Sequence, residues 1–381
     1  MKRTALACAA CALISAAAFA QTVKPFVVPS ARMSALGGPH AASSAGLDAI
    51  FENPAGFLVD APQLGISALV LNPSGPIFDI AGVITGGSTD ILAGLTGLLD
   101  ANGRLFVQTD LLGPLSFGYV GKGLGFGLYN RTVLTINVAS LLSTAYAVSE
   151  EFLLAGGYAY RIPIGERQKL DLGIMPKGFI RASLGQTMSL QDVVDLLSAP
   201  GSLLTGQPYT MTSGVGFDIG ARWSLDDSLA VGLVAHDAYS PSIVTTYTSF
   251  STFAADPTSK IASSYAVVPA TLSVGLAYDP RFALLDRFGA RLSLLLDYVD
   301  LLDLFAIVPR NPILNVTAGM ELQLLDILSV RAGIKDALPT AGFGIDLSAF
   351  TFSLSMFGTE LGIEPGSRPT FNLLVALDFR Y

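Results

Sequence analysis

The stretch Val215–Leu225 alternates apolar and polar residues with a strict period of two. Its odd positions are apolar, Phe217 and Trp223 among them, whereas its even positions hold glycine, serine, Asp218 and Arg222. A period of two places the two kinds of side chain on opposite faces of an extended strand. The same alternation begins again at Leu170, Leu272, Leu292, Val316, Leu328 and Phe350. The sequence therefore predicts an all-β protein.

Alternation alone also fits a soluble β-sandwich, so composition and connection lengths are needed to distinguish a sandwich from a membrane barrel. Apolar residues make up 51% of the chain and charged residues only 14%, as in a membrane protein. The long uncharged windows are broken by proline and glycine or rich in serine and threonine, which disfavours helical spans. Connections near Asp226–Asp227 and Leu325–Asp326 are short, whereas those near Gly185–Thr212 and Tyr239–Val267 are longer. Such a pattern is typical of outer-membrane barrels.

We therefore predict a transmembrane antiparallel β-barrel of about 14 strands, within a range of 14 to 16. About ten strands follow from Lys169 onward, and roughly four to six precede it. Closing the sheet removes the unpaired edges that an open sheet would expose.

The N-terminus carries the marks of a secretory signal peptide. Lys2 and Arg3 precede an apolar run, Ala5–Ala18, which ends in the small-x-small sequence Ala18-Phe19-Ala20. We predict that residues 1–20 are removed. Both cysteines lie in this segment, so the mature chain has no disulfide and no thiolate site.

Two further units follow. Residues 21–61 are rich in Gly, Ala, Ser and Pro and do not alternate, which indicates a compact periplasmic or luminal segment. Residues 62–381 form the predicted barrel. Its last strand places Phe371, Phe379 and Tyr381 on one face. This aromatic ending resembles the C-terminal signal read by the barrel-assembly machinery, which we expect as a partner together with outer-membrane lipid.

The segment from Ala35-Leu36-Gly37-Gly38 to Asn53-Pro54-Ala55-Gly56-Phe57 resembles the N-terminal hatch of FadL-type long-chain fatty-acid transporters. The resemblance implies a 14-stranded barrel in the outer membrane, closed by a hatch that contains Gly37, Gly38, Asn53, Pro54 and Ala55. It also implies a ligand that passes the hatch and leaves sideways into the bilayer beside a kinked strand. Pro54 fixes φ, and the glycines permit tight turns and close approach to the wall.

Two sets of residues allow more than one interpretation. Gly121, Gly123, Gly125 and Gly127 leave one strand face without side chains, which fits either the kinked strand or a tight hairpin facing a crowded lumen. Arg181, Arg222 and Arg291 are expected to point inward. They could contact a fatty-acid carboxylate, although charges in a barrel lumen more often pair with one another.

Other classes of function find little support. The 30 acidic and 22 basic residues do not suggest a nucleic-acid partner. Only His40 and His236 exist, and His236 with Ser240 is the one loose match to a hydrolase. We therefore expect no enzyme, no metal site and no cofactor.

The sequence thus predicts passive uptake of hydrophobic compounds, most specifically long-chain fatty acids, across the bacterial outer membrane. Two alternatives stay open. A non-transporting scaffold or secretion adaptor would have a lumen sealed by charge pairs. A general porin would have an open, unplugged channel.

Overall fold

A computed structural model describes residues 21–43, 46–76, 78–80, 82, 91–100, 102–198, 205–226 and 228–380. The predicted signal peptide, residues 1–20, lies outside the described residues. Within them the chain is mainly β-strand, and no described helix is long and apolar enough to cross a membrane.

The strands run in chain order around one sheet. They are β1 (Gln21–Thr22), β2 (Gln63–Ser74), β3 (Leu105–Gly121), β4 (Leu124–Ser140), β5 (Ser143–Pro163), β6 (Gln168–Met188), β7 (Tyr209–Leu225), β8 (Leu229–Tyr239), β9 (Pro241–Tyr247), β10 (Ala262–Val267), β11 (Thr271–Tyr278), β12 (Ala290–Tyr298), β13 (Val316–Leu324), β14 (Leu328–Lys335), β15 (Leu338–Asp346), β16 (Phe350–Glu360) and β17 (Pro369–Arg380).

The sheet closes on itself because β17 pairs with β2. Strands β8 and β9 are two parts of one wall strand, since both pair with β7, and β10 and β11 are two parts of the next. Counted this way the wall has 14 antiparallel strands, four before β6 and ten from β6 onward. The predicted fold class and strand number are confirmed. The two-residue β1 is the exception, since it pairs in parallel with β10.

Short helices lie in the hatch segment, which is residues 21–61, and in the connections. The α-helices are Ala31–Ala35, Ala49–Glu52, Ile91–Thr96, Leu190–Ser198, Phe250–Ala255 and Ala283–Arg287, and the 3-10 helices are Gly46–Asp48, Pro54–Phe57, Leu301–Phe305 and Pro312–Asn315. The predicted long connection Tyr239–Val267 is wrong in its bounds. Strands β9 and β10 continue the wall at its two ends, leaving a connection of residues 248–261.

The wall is apolar outside and polar inside, the reverse of a soluble protein. On β7 the apolar Val215 and Ile219 are 57% and 49% exposed, whereas Asp218, between them on the other face, is 2% exposed. Burying charges while exposing large apolar side chains would be costly in water. This arrangement is that of a barrel spanning a bilayer.

The wall is also unequal in height. Strands β5 and β6 have 21 residues each, whereas β12 to β15 have eight or nine. We call β3–β7 the tall wall and β12–β16 the short wall. Both enclose the hatch segment, which contacts strands on opposite sides of the lumen.

Candidate functional site

The candidate site is the interior of the barrel, where the hatch segment meets the wall. Two parts of this segment contact different strands. The first hatch half, residues 30–43, packs mainly on the short wall, and the second hatch half, residues 46–59, packs mainly on the tall wall. Each half is built from short helices and turns, so many of its backbone N–H and C=O groups need hydrogen-bond partners from side chains or from other segments.

Glycines of the wall form the seat of the hatch. A side chain at Gly173 would lie 2.3 Å from the carbonyl carbon of Pro54, and one at Gly125 would lie 2.6 Å from the ring of Phe57. At Gly232 it would lie 2.0 Å from the carbonyl oxygen of Ala41. Similar contacts with the hatch occur at Gly220, Gly319, Gly333 and Gly342. Only a residue without a Cβ allows the hatch backbone to approach so closely.

Asn53 joins the two hatch halves to each other and to the wall. Its side-chain nitrogen donates to the carbonyl oxygen of Ala41 at 2.6 Å and lies 3.3 Å from that of Ala221, on β7. Its side-chain oxygen accepts from the amide of Ala55 at 2.9 Å, which caps the turn Pro54–Phe57. Asn53 is fully buried, so each of these bonds replaces one to water.

Charged and titratable side chains hold the first half. Arg32 donates to Glu321 on β13 at 2.9 and 3.1 Å, and it approaches Asp48 and Glu52 of the second half at 3.4 and 3.5 Å. Arg331 on β14 also donates to Glu321, at 2.7 Å. The first half is therefore tied to the short wall by an ion-pair network.

His40 adds a second tie to the short wall. Its Nδ1 lies 2.5 Å from Asp297 of β12, and the amide of Ala41 donates to the other oxygen of that carboxylate at 2.7 Å. The His40 Nε2 lies 3.0 Å from the carbonyl oxygen of Leu36. His40 and Asp297 are both buried. Sequence reasoning missed this pair, because 257 positions separate its members and neither carries a local signal.

Four of the five predicted hatch residues lie against the wall, and the fifth, Gly38, lies at a turn. Asn53, Pro54 and Ala55 meet the glycine seat on β6 and β7. Gly37 has a φ of +97° and lies against the carbonyl oxygens of Ile334 and Ala318, so a side chain there would be strained and obstructed. Gly38 has a φ of +134° and turns the chain toward His40.

The glycines Gly121, Gly123, Gly125 and Gly127 form a hairpin rather than a kinked strand. The chain turns at Lys122 and Gly123, and pairing with β5 continues through Gly125 and Gly127 without interruption. The empty positions are filled from within, by the ring of Phe57 at Gly125 and by that of Tyr129 at Gly127.

The break in the wall lies earlier on β3. Strands β2 and β3 pair at Gly65–Gly118 and again from Val70–Leu112, so residues 66–69 and 113–117 between them are out of register. β3 also shifts register against β4 there. The sequence held a signal for this break, since Gly113-Pro114 interrupts the strand.

A luminal cavity of about 570 Å³ lies against this break. Ser67, Ala68, Leu112 and Ser116 line it from the wall. Phe51, whose ring packs edge-on against Tyr129 with centroids 4.9 Å apart, lines it from the hatch side. On the outer face of the same break, Ile66, Leu69 and Leu115 are exposed. A thin, irregular part of the wall thus separates the cavity from the apolar exterior.

The three predicted carboxylate contacts each have an acidic partner in the protein. Arg181 pairs with Glu151 at 2.5 Å and donates to the carbonyl oxygen of Lys24. Arg222 donates to the carbonyl oxygen of Ala42 at 2.8 Å and lies 3.9 Å from Asp171. Arg291 pairs with Asp326 near the turn at the end of β13. These contacts correspond to the ion-pair interpretation, and two of the three arginines also hold the hatch segment.

Comparisons with known proteins give similar structures but no sequence relative. No family model and no curated protein matches the chain. The CymD monoaromatic hydrocarbon channel is 12% identical, with a TM-score of 0.48 over 94% of this chain and 98% of that one. The Ralstonia pickettii toluene transporter TbuX is 13% identical, with a TM-score of 0.48 over 95% and 99%. A Pseudomonas aeruginosa FadL homologue is 12% identical, with a TM-score of 0.44 over 93% and 99%.

Proposed function

We propose that this chain is a bacterial outer-membrane channel for passive uptake of hydrophobic compounds, with long-chain fatty acids as the substrate class. The hatch segment closes the lumen, and the substrate leaves sideways through the break between β2 and β3. The observation that carries the proposal is the cavity enclosed between hatch and wall, because it reaches the break from inside while the exterior there is apolar.

Affinity for such a substrate needs no polar chemistry. Each methylene group buried from water contributes about 0.8 kcal/mol, so an acyl chain gains several kcal/mol where it lies along the apolar part of the cavity, which includes Phe51 and Leu112. Arginines and acidic residues both line the cavity, Arg32, Arg331 and Glu321 among them, so a carboxylate head group would compete with acidic side chains for these cations. A substrate leaving through the break would enter the bilayer without crossing the aqueous compartment.

The test is uptake of radiolabelled oleate by bacterial cells that lack their own fatty-acid channel and express this chain. Ser116→Trp narrows the cavity at the break, whereas Ser329→Trp narrows the same cavity from β14, away from the break. We expect Ser116→Trp to reduce uptake at least tenfold and Ser329→Trp to retain most of it. Equal loss in both variants, with both barrels folded, would contradict exit through the break.

Ion pairs inside the barrel, which join the hatch to the wall and neighbouring strands to each other, favour one alternative, a barrel that serves as an adaptor without transport. Saturable oleate binding by the purified protein would argue against it. The hatch closes the lumen, which opposes a general porin, and high steady conductance of the unmodified protein in planar bilayers would restore that alternative.

A further inference from the structure

The connection between β12 and β13, at one end of the short wall, carries a strongly exposed apolar surface. Residues 304–309, Leu-Phe-Ala-Ile-Val-Pro, are all exposed, with Phe305 at 86% and Ile307 completely exposed. Leu302 and Ile313 extend the surface, and Ile363 of the neighbouring connection is also exposed. We call residues 302–313 the apolar loop. A contiguous apolar patch of this kind is unfavourable in water and marks a contact surface.

The polar residues of the apolar loop face the protein instead. Arg310 donates to Asp336 at 3.0 Å and to the carbonyl oxygen of Glu360 at 2.8 Å. The side chain of Asn311 donates to Glu364 at 2.8 Å. Asp303 accepts from the amide of Arg310 at 3.0 Å. The loop therefore repeats the pattern of the wall, with polar groups inside and apolar groups outside.

The height of the wall at this point indicates what the loop touches. Strands β12 to β15 have eight or nine residues, whereas a tilted strand needs about 9–11 residues to cross the hydrocarbon layer. The next turn on the same side, between β14 and β15, is only Asp336 and Ala337. The short wall therefore ends about where the hydrocarbon ends, and a loop that bonds to this turn lies at the membrane surface.

We propose that the apolar loop is a membrane-interface anchor, with Phe305, Ile307 and Val308 inserted among the acyl chains of the leaflet at this end of the barrel. Interfacial segments bind lipid in this way, with the apolar side in the acyl boundary and the polar side turned away from it. The anchor would fix the depth and tilt of the barrel on its short side. The inference rests on the membrane-spanning barrel and does not depend on the transported compound.

The test uses tryptophan fluorescence in phosphatidylcholine vesicles, with and without bromine on the acyl chains. Trp223 is the only tryptophan and is first replaced by phenylalanine. Phe305→Trp then reports on the apolar loop, and Ala255→Trp reports on an exposed position in the connection between β9 and β10. Ile307→Trp serves as a second reporter, because its fully exposed side chain has no packing to lose. Slower gel migration after heating confirms that each variant forms a barrel.

We expect blue-shifted emission and at least threefold quenching by brominated chains for Phe305→Trp and Ile307→Trp, and neither for Ala255→Trp. Water-like emission without quenching at both loop positions would overturn the proposal. A blue shift without quenching, accompanied by a dimer in sizing experiments, would overturn it in favour of a second copy. A blue shift that needs added oleate would overturn it in favour of a capture surface.

Discussion

Both hatch halves fit against wall glycines, but the first half is also tied to the wall by charged and titratable groups. These are Arg32 with Glu321 and His40 with Asp297. The second half meets the wall through neutral contacts, in which Asn53 and the turn after it fit against glycines of the tall wall. Steric fit tolerates no added atom, whereas an ion pair can be weakened one charge at a time. We therefore call the tall wall the fixed seat, and the first half, which depends partly on charges, the releasable half.

The sharpest test of the fixed seat is Gly173→Val on β6. Its Cβ would meet backbone atoms of Pro54 and Ala55 at 2.3 and 2.4 Å, which no rotamer change can relieve. We expect the second half to leave its seat and single-channel conductance in planar bilayers to rise at least tenfold.

Gly178→Val is the matched control on the same strand. Gly178 has only one atom within 4 Å of its Cβ position, a carbonyl oxygen at 3.9 Å, and it lines the apolar outer face. The control should conduct like the unmodified protein. If Gly173→Val also stays closed, the glycine seat does not hold the hatch.

The releasable half is tested by Arg32→Gln. This change leaves Glu321 and Glu52 without their shared cation, and removing one partner of a buried pair costs about 3–5 kcal/mol. Because the Arg32 side chain is 18% exposed to solvent, we expect a loss of docking free energy at the lower end of this range. Hydrogen exchange of the amides in residues 31–36 should accelerate by about 100-fold, since 1.4 kcal/mol corresponds to a factor of ten.

The double variant Arg32→Gln with Glu52→Gln separates pairing from packing. Glu52 pairs with Arg32, whereas a change at Glu321 would also leave the buried Arg331 without its acidic partner. Removing the charges of Arg32 and Glu52 together relieves part of the penalty, so exchange should be slower in the double variant than in Arg32→Gln alone. Additive effects of the two substitutions would mean that this ion pair does not hold the first half.

Much of this architecture follows from local patterns in the sequence, and the wall shows why. Alternation on β7 sets the two faces of one strand, and its repetition sets the number of strands. Asn53-Pro54-Ala55 forms a turn for local reasons, since the asparagine caps it and the proline fixes φ. Contacts between distant segments are different. The empty face at Gly125 is filled by Phe57, and nothing near Gly125 in the chain distinguishes that outcome from a kink.

The sequence alone does not distinguish an arginine that contacts a ligand from one that pairs with a carboxylate of the protein, for a similar reason. Arg181, Arg222 and Arg291 were chosen because they face inward, which the period of two can show. Whether an inward arginine meets a ligand or a carboxylate depends on the residues of the neighbouring strands. Strand register places Glu151 directly opposite Arg181, and the two side chains pair. Gly113-Pro114, in contrast, is a local feature that does mark the break in the wall.

A smaller effect is expected for Asn53→Ala, which loosens the contact between the two halves. The change removes the bond to Ala41 and the cap on Ala55, together worth about 2–3 kcal/mol. Exchange of the amides in residues 53–57 should accelerate by about 30- to 100-fold, while Asn102→Ala, on an exposed connection, should leave it unchanged. Equal exchange in both variants would show that Asn53 does not join the halves.

The smallest effect concerns Glu52, which lies in the second half but faces the charges of the first. Burial raises the pKa of Glu52, whereas Arg32 and His40 lower it, and Asp48 raises it, with a net pKa of about 7. A carboxyl group whose pKa is raised in the docked hatch favours docking while it is protonated. Its contribution is complete below the ordinary pKa near 4.5 and is lost as pH rises toward 7.

Hatch docking should therefore weaken between pH 5 and pH 7.5, measured by exchange corrected for the intrinsic pH dependence of amides. Glu52→Gln cannot titrate, so its corrected exchange in the second half should be flatter over the same range. If the variant keeps the full pH dependence, Glu52 is not the titrating group. Either result shows whether protonation of Glu52 strengthens the contact between the two hatch halves at low pH. Steric fit against glycines would not depend on pH.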